Sequence, residues 1–246
     1  MTKRKIIANW KMGADLELAE TLVSSYKRES YHLEIDLTVC PSFVHIPFIL
    51  GKLKHNREIS FGAQDVSVHK EGAFTGEVSA KTLKELECSY VIVGHSECRT
   101  HHHDTNEVVV EKIKRVVEAG LAPIVCIGET AEERKQGKTK AVVLSQLKSA
   151  LSVLKKSNEF MIAYEPVWAI GTGVSATAAD IQDAHGFIHA ELAGFSHSHL
   201  VYGGSVNAKN ALEILSLPHV DGVLVGGASL KVDEFNAICR AASKTV

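Results

Sequence analysis

Glu165 stands directly after the apolar run Phe160 to Tyr164 and directly before Pro166, in the stretch Ala163-Tyr164-Glu165-Pro166-Val167-Trp168-Ala169-Ile170-Gly171-Thr172-Gly173. Two other ionisable groups hold similar places. Lys11 follows Asn9 just past the run Lys5 to Ala8, and His95 opens the segment His95-Ser96-Glu97 just past Tyr90 to Val93. A carboxylate, an imidazole and an ammonium at one mouth form a proton-transfer set, the first taking a proton, the second relaying one, the third steadying negative charge. Alternation along extended backbone puts Ile7, Asn9 and Lys11 on one side of the first run. It does the same for Val91, Val93 and His95, and for Met161, Ala163 and Glu165, so three inward-facing sides would make the polar groups converge. Singly, each has a plainer reading: Glu165 as a solvated strand-end carboxylate, His95 as a helix opening, Lys11 as a surface lysine.

Two glycine pairs point to an anion. Gly203-Gly204-Ser205 and Gly226-Gly227-Ala228-Ser229 follow apolar runs and would let backbone N–H groups approach a phosphate at a helix N-terminus. Ordinary strand-to-helix turns explain one such pair more easily than two in succession. Gly137-Lys138-Thr139 ends like a P-loop but has Glu132 where the first glycine belongs, and Gly171-Thr172-Gly173 has Ala176 in place of the third glycine of a dinucleotide fingerprint. His101-His102-His103 are consecutive and cannot easily converge on one ion. No metal and no cofactor are assigned.

Positioning these residues requires strands. Eight short runs recur: Lys5 to Ala8, Ile35 to Cys40, Ile59 to Ala63, Tyr90 to Val93, Pro123 to Ile127, Phe160 to Tyr164, Leu200 to Tyr202 and Gly222 to Val225. Helical periodicity separates most of them; in Asn106 to Ala119 the residues Val109, Ile113, Val116 and Val117 share a face, with Glu107, Glu111, Lys112, Lys114 and Arg115 elsewhere. Eight units of about 31 residues fit the (β/α)8 barrel, which carries its active site at the C-terminal strand ends and its phosphate site in loops seven and eight. The rival open doubly wound sheet would need a glycine-rich turn after the first strand, where Asn9-Trp10-Lys11-Met12 stands. No linker divides the chain, so one domain over 1–246 is expected.

The 246 residues are 45% hydrophobic and 23% charged, and the net charge of -2 excludes a global basic field of the kind nucleic-acid binding requires. Any anionic partner must be held locally. The basic N-terminus loses its apolar run at Asn9, too early for a signal-peptide core or a membrane span, and a cytoplasmic protein is expected. Five scattered cysteines without a C-x-x-C pair read as reduced thiols: Cys126 as a buried structural group, Cys98 as the one to watch for reactivity.

Taken together, Asn9-Trp10-Lys11, Gly72 to Glu77, Val93-Gly94-His95-Ser96-Glu97, Cys126-Ile127-Gly128-Glu129, Tyr164 to Gly173 and Tyr202 to Val206 resemble the motifs of the triosephosphate isomerase family, in the family's order. The resemblance implies an α/β, single-domain TIM barrel of eight parallel strands. It also implies interconversion of dihydroxyacetone phosphate and glyceraldehyde 3-phosphate through an enediolate, in glycolysis and gluconeogenesis. The roles come with the family and are not read from spacing: Glu165 as base, and a neutral His95 polarising the carbonyl and shuttling protons. Lys11 and Asn9 would stabilise negative charge, Glu97 would support Lys11, and Gly171, Ser205, Gly226 and Gly227 would bind phosphate together with Asn9 and Lys11. Residues 166–176 would be a lid, latched by Tyr202 and Ser205, with Trp168 moving along with it. The loop 73–79 would enter a second subunit, with Thr75 near that subunit's Asn and Lys, making a homodimer.

Three departures from the family pattern stand out: Val174-Ser175-Ala176 at the far lid hinge, Cys98 where an Arg is common, and His101-His102-His103-Asp104 in the fourth loop. The alternatives are another phosphate-binding barrel enzyme with a different base, or a barrel that kept the fold and lost catalysis. Fold alone decides between none of these.

Overall fold

A computed structural model describes residues 3–29, 31, 34–53, 58–170 and 175–245. Its strands are β1 (Lys5–Asn9), β2 (Asp36–Cys40), β3 (Ile59–Ala63), β4 (Tyr90–Val93), β5 (Ala122–Ile127), β6 (Phe160–Tyr164), β7 (Ser198–Tyr202) and β8 (Gly222–Val225). All pair in parallel, in sequence order, and β8 returns to β1, closing the barrel. The strands are nearly continuous apolar runs because both faces are covered, one by helices and one by the barrel interior. Ile7, Ile92, Ile124, Met161, Val201 and Leu224, with Cys40, Cys126 and Ala163, fill that interior. It is a packed plug on which the mouth of the barrel rests.

The pairing is uneven. β6 and β7 match at five positions from Phe160↔Ser198 to Tyr164↔Tyr202, and β1 and β2 at five from Lys5↔Asp36 to Asn9↔Cys40. Among the described residues β3 meets β4 at Gly62↔Tyr90 and Ala63↔Val91 alone, and β7 meets β8 at Val201↔Gly222 and Tyr202↔Val223 alone.

Two sides expected to face inward do so: Ile7 on β1 and Met161 and Ala163 on β6 belong to the interior. The side expected on β4 does not. Val91 and Val93 pack outward under the helices, while Ile92 fills the barrel. His95 reaches the mouth because Gly94, at φ 68, turns the chain after Val93 and breaks the alternation.

The helix Asn106–Glu118 starts at Thr105, whose hydroxyl accepts from the Val108 N–H, and buries Val109, Ile113 and Val116 as its period demands. It also buries Lys112, expected on the solvent side. Lys112 Nζ lies 2.7 and 3.0 Å from the two Asp65 oxygens and 2.6 Å from Asp104 Oδ2. Burial opposes the ammonium charge, but the two carboxylates outweigh it and hold the Lys112 pKa above its ordinary value.

His185, on the helix Ala178–Glu191, is fully buried, with its ring edge-on to Tyr164 and Nδ1 3.0 Å from the His219 carbonyl. Burial pulls its pKa from 6.5 to about 4. The unfolded chain therefore binds the proton more readily, and stability is lost as pH falls from 6.5 towards 4, by about 3 kcal/mol. Urea unfolding of the parent and of His185→Gln across that window checks this. Equal slopes for the two would contradict it.

Candidate active site

At the C-terminal ends of the strands lies a pocket of about 440 Å3 lined by Asn9, Lys11, His95, Glu97, Glu165, Ser205, Gly226 and Gly227. These are all the residues expected from sequence except Gly171, which lies outside the described residues, as do 172–174 of the expected lid and its hinge residue Val174.

Glu165 is 1% exposed. Its Oε2 accepts a hydrogen bond from the Ser96 N–H at 3.0 Å. Its Oε1 receives none among the described residues, although His95 Nε2 lies 3.1 Å away. A buried carboxylate oxygen without a donor is costly to maintain. Two glycines make room for it. A Cβ on Gly128 would lie 1.7 Å from the Glu165 carbonyl oxygen, and one on Gly203 would lie 2.9 Å from Glu165 Cγ. Gly128→Ala should therefore displace Glu165, the base expected from sequence. We expect a kcat loss of about 10²-fold from a shift of about an ångström and a stability loss of about 1 to 3 kcal/mol from overpacking. Kinetics and urea unfolding read the two effects separately, and an unaltered kcat would remove Gly128 from this role.

His95 caps the helix Ser96–His101, with Nδ1 accepting from the Glu97 N–H at 3.1 Å. A nitrogen that accepts carries no proton, so the N–H sits on Nε2, the atom beside Glu165. Arg99 fixes the turn that delivers the ring, donating to the Gly94 carbonyl at 2.9 Å and to Asn106 Oδ1 at 3.0 Å.

Lys11 adopts φ 50, unusual for a residue with a side chain. Gln64 holds this conformation by donating to the carbonyls of Lys11 (2.8 Å) and Cys40 (2.9 Å), and Ser42 also donates to the Lys11 carbonyl. The Lys11 ammonium pairs with Glu97 Oε1. Burial tends to raise the Glu97 carboxyl, yet its hydrogen bond and ion pair with Lys11 hold it below the usual carboxylate range.

On the far wall, Gly226 precedes the 3-10 turn Gly227–Leu230, and its hydrogen leaves room for Lys11 Cε, which a Cβ would approach to 3.1 Å. The Gly203-Gly204 turn opens no helix directly; the next one begins at Ala211. The expectation of two helix N-termini is corrected accordingly. The first pair serves close packing against Glu165 and Tyr202, whose hydroxyl a Gly204 Cβ would approach to 2.2 Å.

After Glu165, Pro166 leads into the 3-10 turn Val167–Ala169. Trp168 Nε1 donates to Glu129 Oε1 at 2.8 Å, Tyr164 OH donates to Glu129 Oε2 at 3.1 Å, and the Arg134 guanidinium lies 3.9 Å over the indole ring. Glu129 is fully buried, so these donors replace its water. Ser205 Oγ donates to the Ala169 carbonyl at 2.7 Å, tying the expected lid to the β7 loop. Gln64, Glu129 and Ser96 hold the site's geometry; sequence marks the first two only as polar residues at strand ends.

The family model for triosephosphate isomerase matches residues 4–242. A triosephosphate isomerase of Dehalococcoides mccartyi is 47% identical over 245 residues, covering 97% of this chain and 96% of that one. Those of Polynucleobacter asymbioticus (44% identical, 96% and 98% covered) and Thermus thermophilus (43% identical, 98% and 100% covered) match along the same length. With similarity at this level from end to end, and the matching pocket residues gathered at one mouth, the chain belongs to the triosephosphate isomerase family.

Proposed function

We propose that this chain interconverts dihydroxyacetone phosphate and D-glyceraldehyde 3-phosphate by proton transfer through an enediolate. The observation that carries the proposal is Glu165 Oε1, buried, without a hydrogen bond among the described residues, and 3.1 Å from the protonated nitrogen of His95. Glu165 Oε1 takes the proton from the carbon beside the carbonyl, the C–H electrons form the carbon–carbon double bond, and the carbonyl π electrons move onto the oxygen to give the enediolate. His95 Nε2 donates to that oxygen and passes protons between the two oxygens; Glu165 returns its proton to the neighbouring carbon. Lys11 and Asn9 face the developing charge from β1, and Glu97 anchors the Lys11 ammonium.

Ser205, Gly226, Gly227 and Gly171 hold the phosphate, and residues 166–176 close over it to exclude water. No metal or cofactor takes part in the scheme. A coupled assay with glyceraldehyde 3-phosphate tests the whole reading: turnover well above background is expected, and none would end it.

The same reading makes the chain one catalytic domain over 1–246, cytoplasmic, and a homodimer joined through loop 73–79. Supporting the dimer, Met12 (95% exposed), Val44 (80%) and Phe74 (41%) present large apolar side chains to solvent. Phe74 is stacked on His69 at 3.5 Å, so the loop is already shaped. No helix among the described residues is long and apolar enough to cross a membrane. Sedimentation equilibrium giving the mass of one chain at micromolar concentration would refute the dimer.

A further inference from the structure

The geometry points to a zinc-class metal site formed by Asp65, Cys98 and His102, outside the catalytic pocket. One oxygen, the sulfur and one ring nitrogen all lie within 4.8 Å of one another. They come from the loop after β3, from the helix Ser96–His101 and from that helix's C-terminal cap, so the fold, not sequence adjacency, assembles them. The mixture of thiol, imidazole and carboxylate suits a borderline-soft dication such as Zn2+ and is poor for Mg2+ or Ca2+. Three protein ligands leave a fourth position for water.

Bond lengths of about 2.0 to 2.3 Å place tetrahedral ligand atoms about 3.3 to 3.7 Å apart, so the set must contract by about an ångström. His102 can supply this movement: its side chain is 64% exposed, and its Nδ1 already lies 3.8 Å from Asp65 Oδ2. Asp65 and His102 also line a groove of about 460 Å3, whose rim includes Gly76, Glu77 and Val78 of the loop 73–79.

The charge balance favours a cation. Two carboxylates, Asp65 and Asp104, share the single ammonium of Lys112. Asp104, at 2.6 Å, can retain Lys112 while Asp65 turns an oxygen to the metal. Burial, then the charge of Asp65, pushes the Cys98 thiol up to about 12, which corrects the expectation of a reactive cysteine. Binding therefore breaks the S–H bond, forms the metal–sulfur bond and releases one proton to buffer, with no change of oxidation state. The same assembly gives one of the three loop histidines a task and leaves His101 and His103 without one.

Titration of the metal-stripped full-length protein with Co2+, followed by displacement with Zn2+, tests the site. We expect one Co2+ per chain with a sulfur-to-cobalt charge-transfer band, abolished by Cys98→Ser and by excess Zn2+. Affinity should fall at least about tenfold in His102→Ala, and change less than about twofold in the double variant His101→Ala/His103→Ala. His102 is exposed, so its substitution leaves the fold intact if Cys98→Ser does not. Absence of the thiolate band, binding indifferent to His102, or binding lost with His101 and His103 would each overturn the site.

Discussion

Glu165→Gln should lower kcat by at least about 10² to 10⁴-fold, roughly 3 to 5 kcal/mol in the barrier, with little change in phosphate binding. The amide fills the same space and its oxygen can still accept from the Ser96 N–H, so the side chain stays in place. What disappears is the proton acceptor at the unpaired Oε1 position beside His95 Nε2. The expected loss is in kcat and kcat/KM together, the signature of an interaction made at the transition state. Inorganic phosphate, which addresses the glycine loops and not the base, should inhibit parent and variant alike. A variant with near-normal kcat would show that another group abstracts the proton.

Lys112→Met should cost about 3 kcal/mol of stability while leaving the catalytic residues untouched. Lys112 and Asp104 are buried, and removing the ammonium strands the Asp104 carboxylate with no countercharge at hydrogen-bond distance. Breaking a buried pair in this way typically costs about 3 to 5 kcal/mol, and the partial exposure of Asp65 argues for the lower end. Urea unfolding with a fixed oligomeric state measures it. The double variant Lys112→Met/Asp104→Leu should recover most of the loss, because a matched apolar pair no longer buries a lone charge. A single-variant loss below about 1 kcal/mol would mean that water reaches the carboxylates and that the triad is a minor contributor.

The strands were legible because each is a short β-branched run bounded by polar or glycine residues, and all eight fall within two residues of where the sequence suggests. Glu165 and Asn9 were legible for the same reason, since a strand that keeps its period delivers its last residue to a known side. His95 reached the right place by a route that alternation does not describe, the positive φ of Gly94. The Lys112 triad was hidden because its members come from three separate segments and a lysine on a helix reads as solvent-facing. Gly128 and Gly203 were hidden because what they accommodate, the Glu165 backbone and side chain, comes from a neighbouring strand. The apolar pattern records which face is buried; it does not record which backbones nearly touch.

The sparse pairing of β3 with β4 and of β7 with β8 marks two seams that divide the barrel wall into two plates. His95 and Glu165 ride on the plate β4 to β7, whereas Asn9, Lys11, Gly226 and Gly227 ride on the plate β8 to β3. The Lys11 to Glu97 ion pair is a side-chain strap across one of these seams. The pair proposed to move protons, His95 and Glu165, therefore lies within one plate. The proposed phosphate site spans both plates, with Ser205 following β7 and Gly226 and Gly227 following β8.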